Sequence, residues 1–228
     1  MKPGVILIAL LVISGSLVYT LDARIEGLKA LVPPLEDEVL MPDPIVVRHF
    51  ALGYDRLVST LLWLHTIQQV GKHGASCCFR WIYKAIDHVT TLDPHFSWAY
   101  QFGGLLLAMP GEALPLSNAL FEKGERSNPD VWQLPFYRGF NDLFYLGDQA
   151  AAARRIGHAA RLPGAPPPIT HFAVALYLRT GERETAITLL QDIAEHTPDE
   201  TVRAFLNDRI ESLQAASPSL PTREDRPE

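Results

Sequence analysis

From residue 51 onward, apolar positions recur every three or four residues, the spacing of one face of a helix. Tyr54, Leu57, Leu61, Leu64 and Ile67 or Gln68 keep this step and predict a helix over Ala51–Val70 with that face buried. Ile82, Ile86 and Val89 do the same over Ser76–Leu92, with Gly71-Lys72-His73-Gly74 as the break between the two helices. Ala152, Ile156 and Ala159 form a further stripe, and Ala186, Leu189, Leu190 and Ile193 another. Trp132, Phe136, Phe140 and Phe144 stand one helical turn apart and read as a core stripe, with Tyr137 off it. Thr201–Leu213 carries Val202, Leu206 and Ile210 on one side and charges opposite, the pattern of a half-polar capping helix. The prediction is an all-α chain of antiparallel helix pairs with no sheet.

Two ladders punctuate these segments. Pro94, Pro129, Pro163 and Pro198 are separated by 35, 34 and 35 residues, and Gly111, Gly147 and Gly181 by 36 and 34. Each of these glycines precedes an acid: Glu112, Asp148 and Glu182. Glycine tolerates a left-handed cap and the acid favours the next helix N-terminus, whereas proline ends one helix and fits the first turn of the next. The unit is helix, glycine turn, helix, proline turn, and a period near 34 marks a repeat array.

These positions resemble the tetratricopeptide-repeat (TPR) family. The last unit carries Tyr177, Gly181, Ala186, Leu190, Ile193 and Pro198 at the family's spacing, and the middle unit Gly139, Gly147, Ala152, Ile156, Ala159 and Pro163. The unit before it has Gly103, Gly111, Phe121 and Pro129, with Ser117 and Gly124 at or near positions where the family usually has alanine. The resemblance covers roughly residues 95–198. It implies a right-handed α-α solenoid of about three helix pairs, with a divergent pair before them (51–94) and a capping helix closing the region 95–213. It also implies protein binding on a concave face lined by the first helix of each unit, where an extended segment or a helix of a partner would sit. Tyr100 and Gln101, Tyr137 and Asn141, and His171 and Arg179 are the candidate contacts on that face.

The N-terminus adds a different element. Val5 to Leu21 contains no charge and follows Lys2; seventeen helical residues span roughly 25 Å, near the short end of a bilayer crossing. Residues 1–21 are expected to be a single transmembrane anchor of the bacterial inner membrane, with the C-terminal domain in the periplasm. Signal-peptide cleavage at Ser14-Gly15-Ser16, giving a soluble periplasmic carrier, is the alternative. Residues 22–50, with Pro33-Pro34 and Glu36-Asp37-Glu38, read as an extended linker, and 214–228 as a disordered tail.

Composition narrows the chemistry. With 20 Lys+Arg against 26 Asp+Glu and no basic block, the chain lacks the clustered cations that nucleic acid requires. The two cysteines are adjacent, Cys77-Cys78, which excludes a disulfide scaffold and four-cysteine zinc sites. No phosphate-binding, dinucleotide, nucleophile-elbow or HExxH motif occurs, so no enzyme, cofactor or small-molecule substrate is expected. The set His65, His73, Cys77, Cys78 and His88 carries a further rival reading, a metal or redox site.

Overall fold

A computed structural model describes residues 14–16, 19–20, 24, 43–73, 79–109 and 111–215. The chain divides into two compact units, Met1–Leu40 and Met41–Glu228. In the first, the described residues are helical; the rest of the predicted anchor lies outside the described residues. Among the described residues no helix is long and apolar enough to cross a membrane.

The second unit is helical without strands among its described residues: α1 Pro44–Phe50, α2 Asp55–His73, α3 Phe79–Leu92, α4 Ser97–Ala108, α5 Leu114–Ser127, α6 Gln133–Phe144, α7 Gln149–Arg161, α8 Pro167–Arg179, α9 Arg183–His196 and α10 Glu200–Ala215. Local chemistry sets these limits. Asp148 caps α7 by accepting from the Ala151 amide at 2.8 Å, and Asp43 caps α1 by accepting from Ile45. Pro94, Pro129, Pro163 and Pro198 fall in the α3–α4, α5–α6, α7–α8 and α9–α10 connections. Gly111, Gly147 and Gly181 occupy the intervening turns at φ +74°, +70° and +81°. At Gly181 the amide donates to Leu178 O and the Glu182 amide reaches back to Tyr177 O at 2.8 Å, closing α8 as a Schellman cap.

From α2 to α10 each helix packs on the next, and α3 also meets α5, α4 meets α6, and α7 meets α9. One buried cluster spans α3 to α6, with Ile82, Ile86, Tyr100, Leu120, Phe121 and Leu134 at its centre. A second spans α7 to α10, with Ile156, Leu176, Tyr177, Leu189 and Leu206. Close approach in the first depends on Gly104, where a Cβ would fall 2.3 Å from the Phe121 ring. Ion pairs link the helices: Lys123 of α5 with Asp87 of α3 at 2.6 Å, and, between successive helices, Arg138 with Glu122 and Glu125 and the buried Asp142 with Arg155.

Several expectations need correction. The residues 44–50, assigned to an extended linker, form α1, because Asp43 caps it and Pro44 suits its first turn. The helix expected to end at Val70 runs to His73, through Gly71. Tyr54, Leu57, Leu61 and Leu64 are exposed, not buried. α2 instead turns Ser59 and Thr66 inward; the Ser59 hydroxyl donates to Val89 O of α3 at 2.9 Å, and Thr66 satisfies itself on Leu62 O. In α10, Leu206, Ile210 and Leu213 are buried while Val202 is exposed. Gln214 and Ala215, assigned to the tail, are still helical, and 216–228 lie outside the described residues.

Candidate functional site

α4 has two apolar faces. Ala99, Gly103, Gly104 and Leu107 pack inward, the two glycines letting Ile86, Leu120 and Phe121 approach the helix backbone. Trp98, Phe102, Leu105 and Met109, spaced four, three and four residues apart, face solvent; Trp98 is 69% exposed. A solvent-facing stripe of this composition is the kind of surface that protein contacts use.

Trp98, Phe102 and Leu105 of the stripe form one wall of a cleft of about 420 Å³. Trp98, Gln101, Phe102 and Leu105 come from α4, and Val131, Trp132 and Tyr137 from the α5–α6 turn and α6. The opposite wall is a chain of aromatic contacts: Tyr137 stacks on Phe121 with centroids 6.1 Å apart and meets Phe136 edge-on at 5.5 Å, and Phe136 meets Trp132 at 5.9 Å. On the α2 side, Trp63 touches Phe102 edge-on at 5.3 Å and Phe96 at 5.7 Å. No charged side chain lines the cleft; its polar side-chain groups are those of Ser97, Gln101 and Gln133, the Tyr137 hydroxyl and the indole N–H groups of Trp98 and Trp132. Such walls can bury an apolar side chain and offer hydrogen bonds to a peptide backbone.

Of the six candidate contacts, only Gln101 and Tyr137 line this cleft. Tyr100 is 0% exposed, packed where Gly124 leaves room for its ring, with its hydroxyl 3.5 Å from Thr90 O. Burial pushes its phenol pKa up, against hydrogen bonds from Ser127 and Thr90 that lower it. Asn141 is buried as well. Its amide donates to Ser117 Oγ and Asn118 Oδ1, both at 2.9 Å, and Ser117 donates onward to Gly104 O at 2.7 Å. Tyr100 and Asn141 are therefore core residues, and Tyr137 and Asn141 do not emerge together. His171 is exposed on α8 and meets Phe205 of α10 edge-on at 5.8 Å; Arg179 is exposed at the end of α8.

Trp98 and Phe102 also belong to the cleft, and their signal in the sequence is the second apolar stripe of α4: a helix apolar on opposite sides has one face too many for a single core. Trp132, expected in a core stripe, is half-buried at the N-cap of α6 and lines the cleft. A larger hollow of about 630 Å³ lies by the α7–α8 and α9–α10 turns, but its charged groups are already engaged. There Arg161 pairs with Asp192 at 2.9 Å and His196 Nδ1 meets Asp192 O at 2.7 Å.

Among the described residues no three His, Cys, Asp or Glu side chains are grouped to hold a metal ion. Cys77, Cys78 and the His73 side chain lie outside the described residues. His65 is exposed on α2, and His88 Nδ1 meets Lys84 O at 2.7 Å. No family model, curated protein or solved structure matches the chain.

Proposed function

We propose that the chain is a protein-binding scaffold of the cell envelope. In this reading its helix pairs stack as a TPR-like solenoid, and residues 5–21 anchor it in the inner membrane with the second unit in the periplasm. The cleft between α4 and α6 receives an extended segment or one helix of a partner, as assembly of a secretion, pilus or transport complex requires. The observation that carries the reading is the uncharged aromatic cleft, with Trp98 presented to solvent beside a wall in which Tyr137 stacks on Phe121. Trp and Tyr are the residues on which protein contacts concentrate their energy. The period-34 ladder, with positive φ at all three of its glycines, supports the repeat architecture.

The test is photocrosslinking in host membranes, with a photoreactive amino acid at Trp98 or, as control, at Glu195, outside the cleft. A protein adduct from position 98 alone, lost when Leu105→Glu places a charge in the cleft, is the expected result. Equal adducts from both positions, or an adduct indifferent to Leu105→Glu, would refute the cleft as the binding site.

A further inference from the structure

The outer face of α2 has no cover among the described residues. Tyr54, Leu57, Leu61 and Leu64 are 69%, 56%, 58% and 52% exposed. The Val58 amide donates to Tyr54 O, so Tyr54 opens the first turn of the helix. With exposed Gln68 the five residues step by three, four, three and four, the seam spacing of two helices wound around each other. At the N-terminal end of the stripe, the chain adds Phe50, 81% exposed, and Leu52, 83% exposed. Leu52 also holds φ +49°, a left-handed conformation that disfavours a residue with a Cβ. A leucine both strained and fully offered to water is poorly placed unless something covers it.

The shape of the face selects the occupant. The stripe is narrow: exposed Arg56 and Thr60 border it on one side, and exposed His65 and Lys72 on the other. A lipid surface takes a broad apolar face, whereas a two-residue-per-heptad seam fits one helix. The seam itself is uncharged, so two identical copies meet without like-charge repulsion along it, and leucine meets leucine with the Tyr54 hydroxyl and the Gln68 amide as neutral polar groups at its ends. Leu61 is the midpoint of the five positions, so it faces its own counterpart in a parallel pair and in an antiparallel pair centred on the stripe. Together with Phe50 and Leu52 the stripe offers on the order of the ~800 Å² per partner of a standard interface. We infer that α2 is a homodimer seam, a second copy of this chain covering Leu57, Leu61 and Leu64.

The inference is independent of the cleft and its partner. Its test uses the full chain with a photoreactive amino acid at Leu61, irradiated in membranes and in detergent. The expected product is a chain-to-chain adduct of doubled mass in both. It is lost in a Leu57→Asp/Leu64→Asp variant and kept in a Trp98→Ala/Tyr137→Ala variant. Because the stripe lies outside the core, Leu57→Asp/Leu64→Asp should retain its helicity by circular dichroism. Sedimentation without any crosslinker should show the unsubstituted chain as a dimer. A lipid adduct, an adduct within one chain to residues 1–40, an adduct to a different protein, or a monomeric mass in sedimentation would each overturn the inference. So would a doubled-mass adduct that survives Leu57→Asp/Leu64→Asp.

Discussion

Replacing Gly104 by alanine tests the close approach that turns the aromatic stripe of α4 outward. The added Cβ would fall 2.3, 2.4 and 2.7 Å from three ring carbons of Phe121. Carbon atoms in ordinary contact sit about 3.5–4.0 Å apart, so the helix or the ring must move. Phe121 is 0% exposed and stacks on Tyr137, so a displaced ring pushes on the cleft wall. Overpacking of this kind costs about 1–3 kcal/mol. Alanine recovers up to about 1 kcal/mol of helix propensity relative to glycine. The expected net is a loss of about 1–2 kcal/mol, seen as a lower urea midpoint with an unchanged slope. Combining Gly104→Ala with Phe121→Leu removes the ring that clashes. That double variant should be more stable than additivity predicts by at least about 1 kcal/mol. A midpoint for Gly104→Ala equal to or above the parent, or strict additivity in the cycle, refutes the packing argument.

Two further outcomes follow from the turns and the buried phenols. Gly147→Val and Gly181→Val place a branched side chain at φ +70° and +81°, and each should lower stability by about 1–2 kcal/mol in the same urea assay; unchanged midpoints would mean the turns do not need glycine. Burial raises the phenol pKa of Tyr100 and, with Asp87 adding to it, of Tyr83; burial likewise raises that of Tyr177, against Arg161 nearby. The folded state therefore holds these protons more tightly than the unfolded state. Their contribution is complete below the unfolded value of about 10 and is lost as pH rises through the folded values. Thermal midpoints should fall above that pH, and less steeply in Tyr100→Phe; an identical slope in Tyr100→Phe would remove Tyr100 from the account.

The turns were legible because their chemistry is local. Gly111, Gly147 and Gly181 need nothing from the rest of the chain to favour positive φ, and the prolines between pairs act through their own ring. The inward stripes of α7 and α9, Ala152, Ile156 and Ala159 and then Ala186, Leu189 and Leu190, were legible for the same reason of short-range period. Period, however, says which residues share a face and not which face another helix covers. In α2 the covered side includes Ser59 and Thr66, hydroxyls that spend their hydrogen bonds on carbonyls and so enter the core without cost from an unpaired donor. The leucines point the other way. Tyr100 was misplaced because the space it fills is made by Gly124, twenty-four positions away, and Asn141 because its partners Ser117 and Asn118 lie on α5. Trp98, Phe102 and Trp132 form a cleft only once α4 and α6 pack side by side, a pairing set by tertiary contact.

The geometry of α2 also decides whether its two unsatisfied surfaces compete. At 3.6 residues per turn, Leu57, Leu61 and Leu64 lie about half a turn around the helix from Ser59 and Thr66. Trp63 lies to the side, its ring against Phe96 and Phe102. A second copy seated on the leucine stripe therefore leaves Trp63 and the cleft of α4 and α6 uncovered. Two chains joined through α2 would present two clefts held at a fixed separation. A partner carrying two copies of the bound segment would then gain from the second binding event being intramolecular, an avidity of about 10²–10⁴ when the spacing matches. Weak single-site binding is thus compatible with tight assembly. The Leu57→Asp/Leu64→Asp variant should lose that avidity while keeping the affinity of each cleft for a single-segment peptide.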